Sequence, residues 1–148
     1  MDDSERRARG IALREEIFGA AATAQAGAMP EASQEYQDLV ARVVWGDIWQ
    51  RPDLDRRTRS VVTVSVLAAL HHDDELRAHV RGALHNGLTR AEIIEILMQV
   101  GVYAGIPTGR RAFRIASSVL DAEVGEPKVQ NQDEVASMPT ETSDNHRP

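Results

Sequence analysis

Cysteine is absent from the 148-residue chain. No disulfide can cross-link it, no thiolate can serve as a nucleophile, and no thiolate metal site can form. Aromatic residues are scarce at 4%, so alanine and aliphatic side chains supply most of the apolar mass, which suits packed helices better than strands. No apolar run approaches membrane-spanning length. The N-terminus lacks a leader-like apolar stretch, so the expectation is a cytoplasmic protein. Lysine is almost missing as well: 16 of the 17 basic residues are arginine, with Lys128 the exception. Arginine frequency is therefore a whole-chain bias, and each arginine is judged by its position. Nor is there a basic excess. The net charge is −6, and residues 123–148 hold six acidic and two basic side chains, a net of −4, leaving −2 for the remainder. Nucleic acid is excluded as an expected partner, since it needs a basic face.

What remains is a run of helical segments in one domain of ordinary size. Residues 3–18 mix Ala8, Ile11, Ala12, Ile17 and Phe18 with Arg and Glu as an amphipathic helix would. Gly19 to Pro30 is alanine-rich without a clear period and reads as a loop or loosely helical connector. Ser33 can cap a helix reaching about Trp49, with Tyr36, Leu39, Val40, Val43, Val44 and Ile48 on one side. Trp45 and Trp49 lie one turn apart on it, an arrangement that serves core, subunit contact or substrate wall. Arg51-Pro52 stops the helix.

Asp53 or Asp55 can cap the next helix, which runs from Arg56 to about Leu70 and is apolar on nearly all sides from Val61 onward. Thr63 and Ser65 can bond back to its own carbonyls. Such a helix should be covered on both sides, by its own chain or by another subunit. His71-His72-Asp73-Asp74 makes a connection with an Asp as N-cap. No second ligand set stands at metal spacing near these histidines, and no metal is assigned.

Residues 75–87, ELRAHVRGALHNG, form the centre of the pattern: one short helix closed by glycine. Leu76, Val80, Ala83 and Leu84 make its apolar face, and Glu75, His79, Gly82 and Asn86 line one border. Glu75 and His79 stand four apart, so the carboxylate can orient the imidazole and keep it protonated longer, although a solvated surface pair has the same spacing. Thr89 and Glu92 form a capping box for a helix with Ile93, Ile94, Leu97, Val100, Gly101 and Ala104 inward, ended by Gly105 and Pro107. A last helix, about Thr108 to Ala122, turns Ala112, Ile115, Ala116, Val119 and Leu120 inward. From Glu123 the sequence loses its period and reads as an acidic, disordered tail.

Four stretches in order, WGDIWQRP at 45–52, LDRRTRSVVT at 54–63, ELRAHVRGALHNGLTRAEIIEI at 75–96 and QVGVYAGIP at 99–107, resemble the 4-carboxymuconolactone decarboxylases. The resemblance covers about residues 5–122 and implies the all-α fold shared with the alkylhydroperoxidase D proteins, here a single domain (1–122) of about six helices. The peroxidase branch of that superfamily carries a Cys-x-x-Cys pair before its histidine and a Glu upstream. Here those slots fall on His72, Glu75 and near Ser60, so the zero cysteine count excludes thiol peroxidase chemistry. His79 remains. The resemblance also implies a homo-oligomer, a trimer of dimers.

The family's reaction removes carbon dioxide from the γ-carbon of an unsaturated lactone without metal or organic cofactor. The electrons released run through the ring alkene to the lactone carbonyl, so a donor must stabilise the oxyanion and an acid must protonate a ring carbon. A guanidinium should hold the second carboxylate, and an apolar pocket favours the departure of the first. The resemblance thus implies His79 as acid or oxyanion donor, Glu75 as its orienting partner, Arg59 or Arg51 as clamp, a wall from Trp45 and Trp49, and Arg81 and Tyr103 as further substrate contacts. Arg59 equally fits a solvated surface, and Tyr103 the core.

The chain departs from the family's pattern at His85, where asparagine is usual, and at Thr108-Gly109-Arg110-Arg111, where small neutral residues are usual. These departures keep two other readings open. One is a natural-product tailoring enzyme acting on a larger intermediate by decarboxylation, ring opening or cyclisation. The other is a non-catalytic helical oligomer that binds a small acid.

Overall fold

The structure, a computed structural model, describes residues 2–28 and 30–124. Among these residues it is all-helical, with seven α-helices: α1 (Asp3–Phe18), α2 (Ala20–Gly27), α3 (Gln34–Leu39), α4 (Arg56–Ala69), α5 (Asp73–His85), α6 (Arg90–Ala104) and α7 (Ile106–Val124). A 3-10 turn (Glu31–Ser33) precedes α3, and a π-helical segment (Val40–Ile48) continues it.

Local chemistry sets most of the boundaries. Asp2 accepts from the Glu5 amide at 2.8 Å while Glu5 accepts from the Asp2 amide at 3.0 Å, closing the start of α1. Asp55 rather than Asp53 caps α4, through the Thr58 amide at 2.9 Å. Thr89 and Glu92 form the expected capping box of α6. Thr63 and Ser65 bond back to the carbonyls of Arg59 and Val61 as read from the sequence.

Of the two readings left for the alanine-rich connector the helical one holds, since alanine's propensity suffices where no packing pattern is demanded. Three boundaries differ from the sequence reading. Ser33 donates its hydroxyl to the Pro30 carbonyl at 2.8 Å instead of capping α3. No Asp caps α5: His72 holds that position without a side-chain bond, and Asp73 is drawn to Arg111 at 2.6 Å. Finally, α7 includes Glu123, which pairs with Arg81 at 2.8 Å. The rest of the expected acidic tail, 125–148, lies outside the described residues.

The main core joins Val64 and Ala68 of α4, Leu76, Val80 and Ala83 of α5, Ile93 and Leu97 of α6, and Ala112, Ala116 and Leu120 of α7. Helices α6 and α7 meet at Gly101 and Gly109, where a Cβ on Gly109 would lie 2.8 Å from the Gly101 Cα. A smaller cluster of Leu13, Ile17, Trp45 and Trp49, with Phe18 and Val40 against it, joins α1 to the π segment. There the backbones touch: a Cβ on Gly10 would stand 1.9 Å from the Ala41 carbonyl oxygen. Ion pairs Arg6–Asp47 and Arg42–Asp3 strap the same two elements together, and Arg7–Asp38 ties α1 to α3.

α4 is covered on one side only. Ser60, Val64 and Ala68 are buried, whereas Val62, Val66 and Leu70 face outward.

Candidate active site

The candidate site forms where α5 passes the small cluster. Its first cause is Gly82, one turn beyond His79 on the border of α5 predicted from the sequence. A Cβ there would come within 2.7 Å of the Phe18 ring and 2.9 Å of the Ile17 side chain, so glycine lets the end of α1 close onto α5. Phe18 then meets the His79 ring edge-on, with centroids 5.1 Å apart and planes at 83°.

The π segment supplies the other walls. Its i→i+5 bonding, carried on by the Trp49 amide to the Val44 carbonyl at 2.9 Å, winds more loosely than an α-helix. Residues four apart therefore nearly superimpose, and Trp45 and Trp49 lie side by side with centroids 5.0 Å apart. Trp45 stacks on His79 at 6.1 Å and 10°, and Trp49 approaches it at 6.3 Å and 34°. Phe18 in turn meets Trp45 edge-on at 5.3 Å. The imidazole stands in a box of three aromatic rings.

That box decides the charge of the histidine. Burial pushes His79 from 6.5 down to about 4, because an imidazolium loses its hydration there. Glu75 pulls the other way, and the cation of Arg14 adds to the lowering. The carboxylate therefore does not keep the ring protonated, as the spacing suggested: desolvation outweighs one solvent-exposed partner, and at neutral pH the imidazole is neutral. It offers one N–H donor and one basic nitrogen.

The other expected site residues stand as follows. Glu75 is exposed one turn before His79. Arg59 donates to the carbonyls of Leu54 at 3.0 Å and Arg51 at 3.1 Å, so it braces the loop between the π segment and α4. Arg51 pairs with Asp53 at 3.1 Å and Arg81 with Glu123. Tyr103 is 82% exposed, and His85 is exposed beside Arg81 in a cavity at the α1–α5–α7 end. Arg111 holds Asp73, and Arg110 is exposed. Among the described residues, no hydrogen bond or ring contact joins Arg51, Arg59, Arg81 or Tyr103 to the His79 ring. Ser60, in the slot of the peroxidases' glutamate, is buried; it donates to the Arg56 carbonyl and accepts from Asn86 at 2.9 Å, tying α4 to the end of α5.

Two residues of α1 escaped the sequence reading of the site. Phe18 was legible only as an apolar helix position, and Arg14 as one arginine among many. Nothing along the chain links 14 or 18 to 79; only the i,i+4 spacing that puts Arg14 and Phe18 on one face was available.

A family model described as the carboxymuconolactone decarboxylase family matches residues 34–118, a stretch that begins after α1 and α2. A 4-carboxymuconolactone decarboxylase from Acinetobacter baylyi is 36% identical over 121 residues, covering 81% of this chain and 90% of that protein. A nitrosuccinic acid decarboxylase from Metarhizium robertsii is 33% identical over 114 residues, 76% of this chain and 79% of that protein. An uncharacterized 15.0 kDa protein from Paracoccus denitrificans is 37% identical over 82 residues, 53% of this chain and 60% of that protein.

Proposed function

Because the chain belongs to the carboxymuconolactone decarboxylase family, we propose that it is a carboxy-lyase that converts 4-carboxymuconolactone to 3-oxoadipate enol-lactone in aromatic catabolism, without metal or organic cofactor. The observation that carries this reading is the neutral His79 inside its aromatic box.

The reaction follows from that environment. An anionic substrate beside the ring opposes the desolvation that keeps it neutral, so His79 takes up a proton as substrate enters. The aromatic walls hold water away from the departing carboxylate, which favours neutral carbon dioxide. The electrons of the broken bond form the β,γ-alkene and move the existing alkene electrons toward the lactone carbonyl. His79 returns its proton to the α-carbon, leaving the enol-lactone and a neutral imidazole. Glu75 serves as the orienting partner of the ring.

A second substrate class is favoured by the nitrosuccinic acid decarboxylase relative. A nitro group can take up the released electron pair as a lactone carbonyl does, so the same scaffold fits decarboxylation in a natural-product route. The reading also takes the protein as a homo-oligomer, a trimer of dimers. Its support is the outward Val62, Val66 and Leu70 of α4 beside a shallow groove of about 390 Å³ lined by Val66, Ala69, Val100 and Tyr103.

The direct test is incubation of purified protein with 4-carboxymuconolactone. Carbon dioxide release with formation of the enol-lactone, abolished in His79→Ala with helical circular dichroism intact, is expected. Full activity in that variant removes His79 from the mechanism. Turnover of nitrosuccinate but not of the lactone moves the assignment to the second substrate class.

A further inference from the structure

The Phe18 ring lies across α5 at Gly82, where a Cβ would come within 2.7 Å of its Cε1 atom. Gly82 stands one turn beyond His79 and one turn before His85, so the ring divides the helix into two sides. On one side it meets His79 and Trp45 edge-on, with centroids 5.1 and 5.3 Å away. On the other it helps to line the cavity at the α1–α5–α7 end, whose volume is about 440 Å³. One half-buried side chain therefore borders both the reaction box and a room large enough for part of a small molecule.

Ile17, Leu84 and Val124 join Phe18 as the apolar lining of that room. Its charges are mostly spent: Glu16 is held by Arg56 at 2.6 Å, and Arg81 and Glu123 hold each other at 2.8 Å. Glu15 adds an acid, which repels a second carboxylate, and His85 is exposed to solvent. The cavity thus suits the uncharged, apolar part of a substrate and not a further acid group. Both α1 and the end of α7 lie outside residues 34–118, which the family model matches, so the shared pattern does not dictate what stands at position 18.

We propose that Phe18 is a specificity-determining residue, a partition that limits the substrate to the small acid the His79 box can hold. The α1–α5–α7 cavity is the room into which a longer apolar substituent extends when residue 18 is small. The inference rests on the decarboxylase reading of His79 above. With the departing carboxylate beside the imidazole, a substituent that runs along α5 toward Gly82 is stopped by the Phe18 ring. Removing the ring joins the two spaces, because glycine at 82 has no side chain to fill the gap.

Trp45 and Trp49 are the two tryptophans of the chain, so tryptophan fluorescence reads binding in the box. Wild type, Phe18→Ala, Phe18→Leu and the double variant Phe18→Ala with Leu84→Phe are titrated with straight-chain carboxylates from butanoate to decanoate. In wild type the affinity does not climb with chain length. In Phe18→Ala it rises about three- to fourfold for each added methylene that enters the cavity, as burial of one CH₂ implies, and Phe18→Leu shows a smaller rise. Leu84→Phe refills the cavity from α5 and removes the climb, whereas a hole left by the lost ring alone would keep it. Should Phe18→Ala lose its helical circular dichroism, Phe18→Leu with and without Leu84→Phe decides the matter. An equal climb in wild type, no climb in either Phe18 variant, or a climb that survives Leu84→Phe overturns the partition. Lactone turnover is measured alongside. Turnover by wild type without the length switch refutes the partition and leaves the decarboxylase reading standing, while a length switch without turnover of the lactone or of nitrosuccinate does the reverse.

Discussion

The Trp45 ring lies nearly parallel to that of His79, with 10° between their planes and 6.1 Å between centroids. This pairing joins a π-helical wall to the titratable group of α5, so the indole sets how much water reaches the imidazole. Trp45→Ala should let water in and carry the His79 titration back from about 4 toward 6.5. NMR of the ring against pH checks this; an unmoved titration would mean that Phe18 and Trp49 suffice to keep it dry.

Stability should depend on the same ring. Burial lowers the folded-state value to about 4 against 6.5, so between these pH values the unfolded chain binds the extra proton. Unfolding free energy therefore has no His79 penalty above pH 6.5, falls as pH drops through the window, and levels off below about 4. The shift corresponds to a loss on the order of 3 kcal/mol at most. Urea melts of wild type and His79→Gln at pH 7 and pH 4.5 give the comparison, and the variant should lack this part of the slope. The depressed carboxylates Asp47, Asp55, Asp73 and Glu92 add losses at lower pH that both proteins share.

Gly10→Ala should unfold or misplace the site wall. Its Cβ would meet the Ala41 carbonyl at 1.9 Å and the Gly46 amide nitrogen at 2.9 Å, both backbone atoms that no rotamer change can move. A loss of about 1–3 kcal/mol, the usual cost of overpacking, or more is expected. Thermal melts measure it, and the rise in His79 titration shows that the box has opened.

Gly109→Val provides the contrast. It forces α7 from α6 at Gly101, where an added Cβ already approaches the backbone to 2.8 Å. Melting temperature should fall while the His79 titration stays near its wild-type value, because the crossing lies in the main core and not in the Phe18–Trp45 cluster.

Val66→Asp tests the assembled state. The residue is 48% exposed and faces the groove beside Tyr103. Sedimentation should show the wild type as an oligomer and the variant as a smaller species with unchanged helical circular dichroism. A monomeric wild type at micromolar concentration would sink the oligomer.

The helical domain was written in the chain's periods and caps: Leu76, Val80 and Ala83 of α5 and Ala112, Ile115, Ala116, Val119 and Leu120 of α7 are buried as their spacing requires. Those features are local, because a 3.6-residue period and an N-cap act within a few turns of their own positions. His79 and the Trp45/Trp49 pair were likewise visible as residues, with their four-residue spacings. What no local rule could supply was their meeting. Gly82 lets the Ile17 and Phe18 side chains close onto α5 across about 65 positions of sequence, and Gly10 lets backbones meet across about 30, bringing Phe18 and Arg14 to a ring that the linear order leaves remote. The charge of His79 was decided there too: from the sequence, Glu75 one turn away favours the imidazolium, whereas in the folded molecule desolvation by three aromatic rings favours the neutral form. A pattern along one helix specifies which side chains face inward, but the dielectric they meet depends on every element packed around them, and only the tertiary structure sets that.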